Sequence, residues 1–350
     1  MKALKIVVVG PGLIGKQHIK LINGHPEAEL CAIVGPDIEV NHAIAKQQNK
    51  PLYYSLQTCI DSEDIDGVII SSPNQFHAEQ GVTCIEAGIP VFIEKPITAT
   101  VDDGVKLAEL ADLRHAKVLV GHHRAHSPLM ALARKTITSG RLGRIVSVMG
   151  SAQFYKPAHY FNDGPWRKEI GGGPILINLI HEIGNLRTLC GEIAAVQAIT
   201  SSAIRNFPVE DTVVINFMFE SGALGTFLLS DTAATARSWE QTSRENLSYP
   251  TYADEDCYTV AGTLGSLAVP TMRLKYYSEG VDPSWWAPFT EDVLNVTRQD
   301  PLHCQLQHFL EVIRGEAEPI VSARDGLRNL QVTEAVRESA VQHKLVHLNY

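Results

Sequence analysis

Gly10, Gly12 and Gly15 stand in the spacing G-x-G-x-x-G, which serves the holding of a pyrophosphate. The first glycine permits a tight turn, the second lets a phosphate approach the backbone, and the third lets helix and strand pack closely. With Leu13 and Ile14 completing the turn, the phosphates would rest on free N–H groups at a helix N-terminus, where the helix dipole favours anions. The plain alternative is an ordinary glycine-containing turn. Against it, the apolar run Lys5–Val9 precedes the motif and a helical stretch to about Asn23 follows it. An acidic residue about 20 residues on would hold the ribose hydroxyls of NAD. That slot reads Val34-Gly35-Pro36-Asp37, with glycine in the expected acidic place and Asp37 two residues later. No arginine lies nearby to pair with a 2′-phosphate, and Asp37 and Glu39 would repel one. The reading is NAD, with NADP left open by Gly35.

Two later strand ends carry further polar groups. Ser72-Pro73-Asn74 follows the buried run Gly67–Ser71, and Glu94-Lys95-Pro96 follows Val91–Ile93. Ligands of such sheets bind outside the strands' C-terminal ends, so Lys95 would project its amine toward a nicotinamide ring. Partial desolvation would lower its proton affinity and let it exchange a proton with a substrate hydroxyl. By spacing alone, such a lysine is more often a solvated surface group. Pro174 opens a helix with an apolar body on which Asn178, His181, Glu182 and Asn185 fall at i, i+3, i+4 and i+7, one polar stripe. The stripe has no lysine, so it reads as the border of a cavity rather than a solvated face. His123 and Arg124 follow the strand 117–120. Tyr155, Trp166 and Arg167 are candidates for pocket walls, as are His159 and Tyr160. His18 reads as structural.

The elements that must position these groups follow from periodicity. Strand and helix candidates alternate through the first 120 residues: strands at Lys5–Val9, Glu29–Val34, Gly67–Ser71, Val91–Ile93 and Lys117–Val120, with helices between them. That alternation predicts a doubly wound parallel sheet, the Rossmann arrangement. After about residue 125 the pattern changes to strands at Arg144–Gln153, Ala194–Ser201, Asp211–Glu220, Ala223–Asp231, Asp256–Ala261 and Met272–Tyr277, with few helices between them. Glu220-Ser221-Gly222 joins two of these as a tight hairpin. The expectation is an α/β protein with a Rossmann domain at 1–124 and an α+β domain at 125–350 built on a mostly antiparallel sheet. The segment 232–255 reads as a long polar loop, and the closing stretches Leu302–Ile313 and Ala323–His343 as helices.

Composition bounds the partners. The 350 residues carry a net charge of −9, which argues against nonspecific binding to a nucleic-acid backbone. No apolar run approaches the roughly 18–20 residues of a membrane span. The six cysteines lie far apart and none pairs at zinc or redox spacing, so reduced thiols, a cytoplasmic protein and no metal are expected.

The sequence resembles the glucose–fructose oxidoreductase, inositol dehydrogenase and rhizopine-catabolism (Gfo/Idh/MocA) family. Four features carry the resemblance: Gly10-Pro11-Gly12-Leu13-Ile14-Gly15; Ser72-Pro73-Asn74 with His77; Glu94-Lys95-Pro96; and Gly171-Gly172-Gly173 followed by the helix bearing His181. It extends over nearly the whole chain, through Val120-Gly121-His122-His123-Arg124, Gly265-Ser266-Leu267 and Asp325-Gly326-Leu327. The resemblance implies a C-terminal domain with a large open sheet, and NAD(P)-dependent oxidation or reduction of sugars, polyols or sugar acids. It implies Lys95 as the catalytic residue and His181 as its proton-transfer partner. The cofactor would be bound by Gly10, Gly12, Leu13, Ile14, Gly15, Asp37, Ser72, Pro73, Asn74, His77, Glu94, Lys95 and Arg124. Substrate would be met by Lys95, His123, Tyr155, Trp166, Arg167, Asn178 and His181. It also supports a homodimer or homotetramer, and a C-terminal helix packing back on the first domain. One departure stands out. The family's usual aspartate four residues before the histidine is Ile177 here, with Asn178 beside it. Two other activities fit the same framework: an NAD-using glycoside-cleaving enzyme and a non-catalytic dinucleotide-binding regulator.

Overall fold

The computed structural model describes residues 2–350. The chain divides into two compact units, one formed by residues 1–126 with Pro301–Leu330 and the other by Ser127–Asp300 with Gln331–Tyr350. The first unit is therefore not one continuous stretch of chain.

In the first unit six strands form one parallel sheet: β1 (Leu4–Val9), β2 (Ala28–Val34), β3 (Leu52–Tyr53), β4 (Gly67–Ile70), β5 (Val91–Glu94) and β6 (Val118–Gly121). Their order is β3-β2-β1-β4-β5-β6, so the direction in which successive strands are added reverses between β1 and β4. That is the doubly wound order, whose crevice lies at the reversal. The strands are apolar on both faces because both are covered. Ile6, Val8, Ile69 and Phe92 pack with Ile19, Ile22, Phe309 and Leu310, whereas Val7, Val9, Val68, Ile70 and Ile93 pack with Cys84, Leu107, Ala108, Leu327 and Leu330. The helix Pro301–Arg314 thus supplies one face and the start of helix Ala323–Gln342 part of the other.

The second unit is built on nine strands: β7 (Ile145–Gln153), β8 (Ile193–Ser201), β9 (Thr212–Phe219), β10 (Leu224–Ser230), β11 (Tyr258–Gly262), β12 (Gly265–Val269), β13 (Arg273–Tyr276), β14 (Thr290–Val293) and β15 (Val346–His347). They run β14-β13-β12-β11-β7-β10-β9-β8-β15, antiparallel except for the parallel pair β7 and β10. The expected hairpin joins β9 to β10, with Gly222 at φ +83°. β9 alternates strictly: Val213, Ile215, Phe217 and Phe219 are buried, whereas Val214 and Met218 are exposed. The buried face packs on Leu129, Met130, Ile183, Leu186, Val332 and Val336 from three helices.

Two expectations are corrected here. The polar segment 232–255 is not a plain loop. It holds a short helix, Trp239–Thr242, and buries Ser238, Trp239, Thr242, Ser243 and Glu245. These groups satisfy one another: Trp239 Nε1 donates to Glu245 at 2.9 Å, and Ser127 Oγ donates to the same carboxylate. Burial by mutual hydrogen bonding leaves no apolar periodicity to read. The second unit also has a helix, Pro128–Thr138, that the strand-rich reading passed over. Its signal was present, because Ser127 caps it and Pro128 sits in the first turn.

Candidate active site

In the first unit the glycine turn is shaped by packing. Gly10 has φ +80°, and a Cβ there would lie 2.5 Å from the Ser72 backbone; at Gly15 it would lie 2.2 Å from the Gly10 carbonyl oxygen. At Gly12 a Cβ would meet nothing within 4 Å. Gly10 and Gly15 are thus demanded by the protein itself, whereas Gly12 leaves open space at the N-cap of the helix Leu13–Asn23. That N-terminus has no side-chain cap and no acidic residue in its first turn. Uncapped N–H groups beside an open approach fit a pyrophosphate. Leu13 is exposed beside this opening.

The neighbouring strand ends are laced to this turn. Ser71 Oγ donates to the carbonyls of Val9 and Gly10, at 2.9 Å each. His77 is buried, its ring nitrogens 2.9 Å from the Ser72 carbonyl and 2.8 Å from the Pro96 carbonyl. His77 therefore stands between the Ser72-Pro73-Asn74 turn and the Lys95-Pro96 turn, and as the neutral ring it donates to one of the two carbonyls. Burial holds its pKa below the usual imidazole value. Glu94 is buried as well: one carboxylate oxygen lies 2.8 Å from His18 Nε2, and the other accepts from the Lys95 N–H at 3.1 Å. Gly121 makes room for it, since a Cβ there would lie 2.9 Å from the carboxylate. The structural reading of His18 thus acquires a purpose, because the pair holds the strand end from which Lys95 leaves.

Lys95 itself is half-buried, and burial, with Arg124 adding repulsion and Glu94 opposing it, lowers its proton affinity from the ordinary lysine value. A lysine so perturbed at a strand end is suited to proton exchange. His123 is pushed well below the usual imidazole pKa by burial and by the charges of Arg124 and Lys95. Arg124 is buried. Asp37 is exposed and pairs with His42 at 2.7 Å. At Gly35 a Cβ would lie 2.9 Å from Asn41 Nδ2 and 3.1 Å from Pro11, so a larger residue there would need the Asn41 side chain to move.

In the second unit, His181 follows a π-helical turn, Ile175–Leu179, that leads into the helix Ile180–Cys190. Glu210 starts this segment, its carboxylate accepting from the Ile175 N–H at 2.9 Å. Burial raises the Glu210 pKa, with that N–H acting against the rise. The single polar stripe expected from sequence does not form. The wide turn shifts the register between Asn178 and the residues after it, and Glu182, only 1% exposed, turns inward to accept from the Tyr258 hydroxyl. Asn185 Nδ2 donates to the same hydroxyl at 3.0 Å. Glu182 is thus a core residue and does not replace the missing aspartate.

Asn178 faces Lys156, a residue absent from the sequence candidates. Lys156 Nζ donates to Asn178 Oδ1 at 2.7 Å and lies 3.8 Å from Asp231, which pairs with Arg205 at 2.7 Å. Burial brings the Lys156 pKa down to about 8, with Arg205 and Arg167 adding to the effect and Asp231 and Glu240 opposing it. The Arg167 guanidinium lies 4.0 Å over Tyr160 and donates to the Tyr160 carbonyl, so it braces its own loop. Trp166 and Tyr155 are exposed; Tyr155 bridges to Thr232, and Arg205 lies 5.5 Å from its ring. Sequence reasoning missed Lys156, Glu210, Arg205 and Asp231. The one available signal was a lysine and an aspartate at the ends of β7 and β10, strands whose pairing was not legible.

Residues 4–122 match a family model described as an oxidoreductase family with an NAD-binding Rossmann fold, and residues 130–268 match the GFO/IDH/MocA C-terminal domain. A 1,5-anhydro-D-fructose reductase of Ensifer adhaerens is 28% identical, with 82% of this chain and 80% of that protein covered. An inositol 2-dehydrogenase of Rhizobium meliloti is 23% identical over 97% of this chain and 98% of its own. Among solved structures, a levoglucosan dehydrogenase in complex with NADH and levoglucosan shares the fold, with a TM-score of 0.77 at 22% identity and full coverage of both chains.

Proposed function

The chain belongs to the Gfo/Idh/MocA oxidoreductase family, with an NAD-binding Rossmann domain, and from that premise we propose that it oxidises a hydroxyl-bearing carbon of a sugar, polyol or sugar acid, or reduces the corresponding carbonyl. The observation that carries the reading is Lys95: an ammonium of lowered proton affinity, on a strand end with His77 between it and the turn beside the phosphate cradle. The reductase and dehydrogenase relatives support the carbohydrate class.

NAD, when bound, supplies the hydride acceptor. In oxidation Lys95, as the neutral amine, takes the proton from the substrate hydroxyl oxygen, and in reduction the ammonium returns it to the carbonyl oxygen. The resemblance implies His181 as the proton-transfer partner of Lys95. Gly12 and the N–H groups of Leu13 and Ile14 hold the phosphates. Glu94 and His18 keep Lys95 in place, and Arg124 helps keep its proton labile. The protein's contribution is position and proton affinity. Asp37, two positions after the glycine in the usual acidic slot, supports NAD over NADP.

Two coarser features complete the reading. No helix among the described residues is long and apolar enough to cross a membrane. Six free thiols support a cytoplasmic setting. The exposed apolar side chains Met149, Val214 and Met218 on the open sheet face support a homodimer or homotetramer.

The test is absorbance at the reduced-nicotinamide band across polyols, sugar acids and glycosides. Accumulation of reduced coenzyme with one of the first two classes is the expected result. Release of sugar from a glycoside without net reduction would replace this reading with bond cleavage through transient oxidation. Binding of NAD with no turnover of any compound would replace it with a regulator.

A further inference from the structure

Lys156 is buried at 8% exposure yet spends its ammonium on Asn178 Oδ1 at 2.7 Å, because the nearest carboxylate, Asp231, stands 3.8 Å away and is engaged by Arg205. A lysine only donates, so the bond settles the amide: the oxygen faces Lys156 and the NH₂ group faces away. Among the described residues, no protein acceptor takes that NH₂ group. Asn178 stands three positions before His181 and directly after Ile177, where the resemblance led one to expect a carboxylate. The chain thus presents a fixed donor one position after the place where an acceptor was expected.

We propose that Lys156 is a positioning residue that locks Asn178 as a hydrogen-bond donor to the substrate. The partner is then an oxygen with lone pairs to offer, such as a carbonyl, a carboxylate or a ring oxygen. The inference rests on the carbohydrate reading above and deepens it, since it names the kind of oxygen favoured at Asn178. The supporting contacts are local to the second unit. Tyr160 lies 4.8 Å under the ammonium, Arg205 donates to the Lys156 carbonyl at 2.8 Å, and Asp231, Glu240, Glu210, Arg205 and Arg167 are the charged groups around it. A lysine that merely knits the loop together would show the same contacts, so the test must reach the amide.

The experiment measures kcat and KM for Lys156→Met, Lys156→Arg, Asn178→Ala, Asn178→Asp and the Lys156→Met/Asn178→Ala double variant, on whichever panel compound the wild type turns over. Asn178→Asp keeps an oxygen facing Lys156 and replaces the NH₂ donor with a charged acceptor, so it stays informative if Lys156→Met folds poorly. Expected is a KM increase of about tenfold in Asn178→Asp and Lys156→Met, larger than any change in kcat. Lys156→Arg should recover most of the loss, and the double variant should be no worse than Asn178→Ala alone. Wild-type KM in Asn178→Asp, or additive losses in the double variant, overturns the proposal while the hydride-transfer reading stands. A wild type that binds NADH but turns over nothing overturns both.

Discussion

In the first unit the glycine turn is made of backbone: Gly10 and Gly15 are wedged against Ser72 and the Gly10 carbonyl, and the His77 ring lies between the carbonyl oxygens of two strand ends. In the second unit the surroundings of Asn178 are made of side chains, with Lys156, Arg205, Glu210 and Asp231 arriving from separate stretches of chain. A backbone-built site is sensitive to an added Cβ and indifferent to pH. A side-chain network is the reverse, because its buried charges are held only by one another and an uncompensated one is costly.

The largest effect should come from Lys95, the side chain to which the proposed mechanism gives the proton. Lys95→Ala should lower kcat roughly 10³-fold, within the range of positioned acid–base groups, with the NADH Kd within about twofold by fluorescence titration. Full activity in that variant would remove Lys95 from the mechanism. The glycines divide next. Gly10→Ala combines φ +80° with a 2.5 Å clash against backbone, and thermal unfolding should show a loss on the order of 3 kcal/mol. Gly12→Val should unfold like the wild type yet bind NADH about tenfold more weakly, since only a ligand meets its side chain. Equal unfolding of the two variants would erase the distinction between packing glycine and ligand glycine.

The second unit should respond to pH and to loss of its helix anchor. The Lys156 pKa falls from an ordinary value of 10.5 to about 8 on folding. Between these values the unfolded chain holds a proton that the folded chain has released, so stability rises with pH from about 8 to 10.5. Denaturant titrations at pH 7 and pH 10 should differ more in the wild type than in Lys156→Met, by on the order of 1–2 kcal/mol; identical differences would show that the ammonium is not desolvated. Glu210→Ala should cost about 1 kcal/mol by freeing the Ile175 N–H, and Glu210→Gln, which keeps an acceptor, should cost less. A Gln variant as unstable as the Ala variant would show that the charge, not the hydrogen bond, starts the helix.

What could be read in the sequence follows the same division. Gly10, Gly12 and Gly15, the buried strand runs and Lys95 are local patterns: a few residues in order specify a turn, a strand and its end. The stripe from Asn178 to Asn185 was misread because a π-helical turn interrupts the regular spacing, and Glu182 went to Tyr258, 76 residues away. Lys156 was invisible for a similar reason. Its meaning depends on the pairing of β7 with β10 and on an asparagine 22 positions further along the chain. Segment 232–255 hid its burial because its polar groups satisfy each other.

The most direct test of the central claim uses a polyol or sugar deuterated at its carbinol carbons, with the coenzyme analysed after turnover. The account predicts one deuterium transferred to the coenzyme for each carbonyl formed, a transfer lost in Lys95→Ala while NADH binding persists. A carbonyl product formed with no label on the coenzyme, or undiminished transfer in Lys95→Ala, would contradict it.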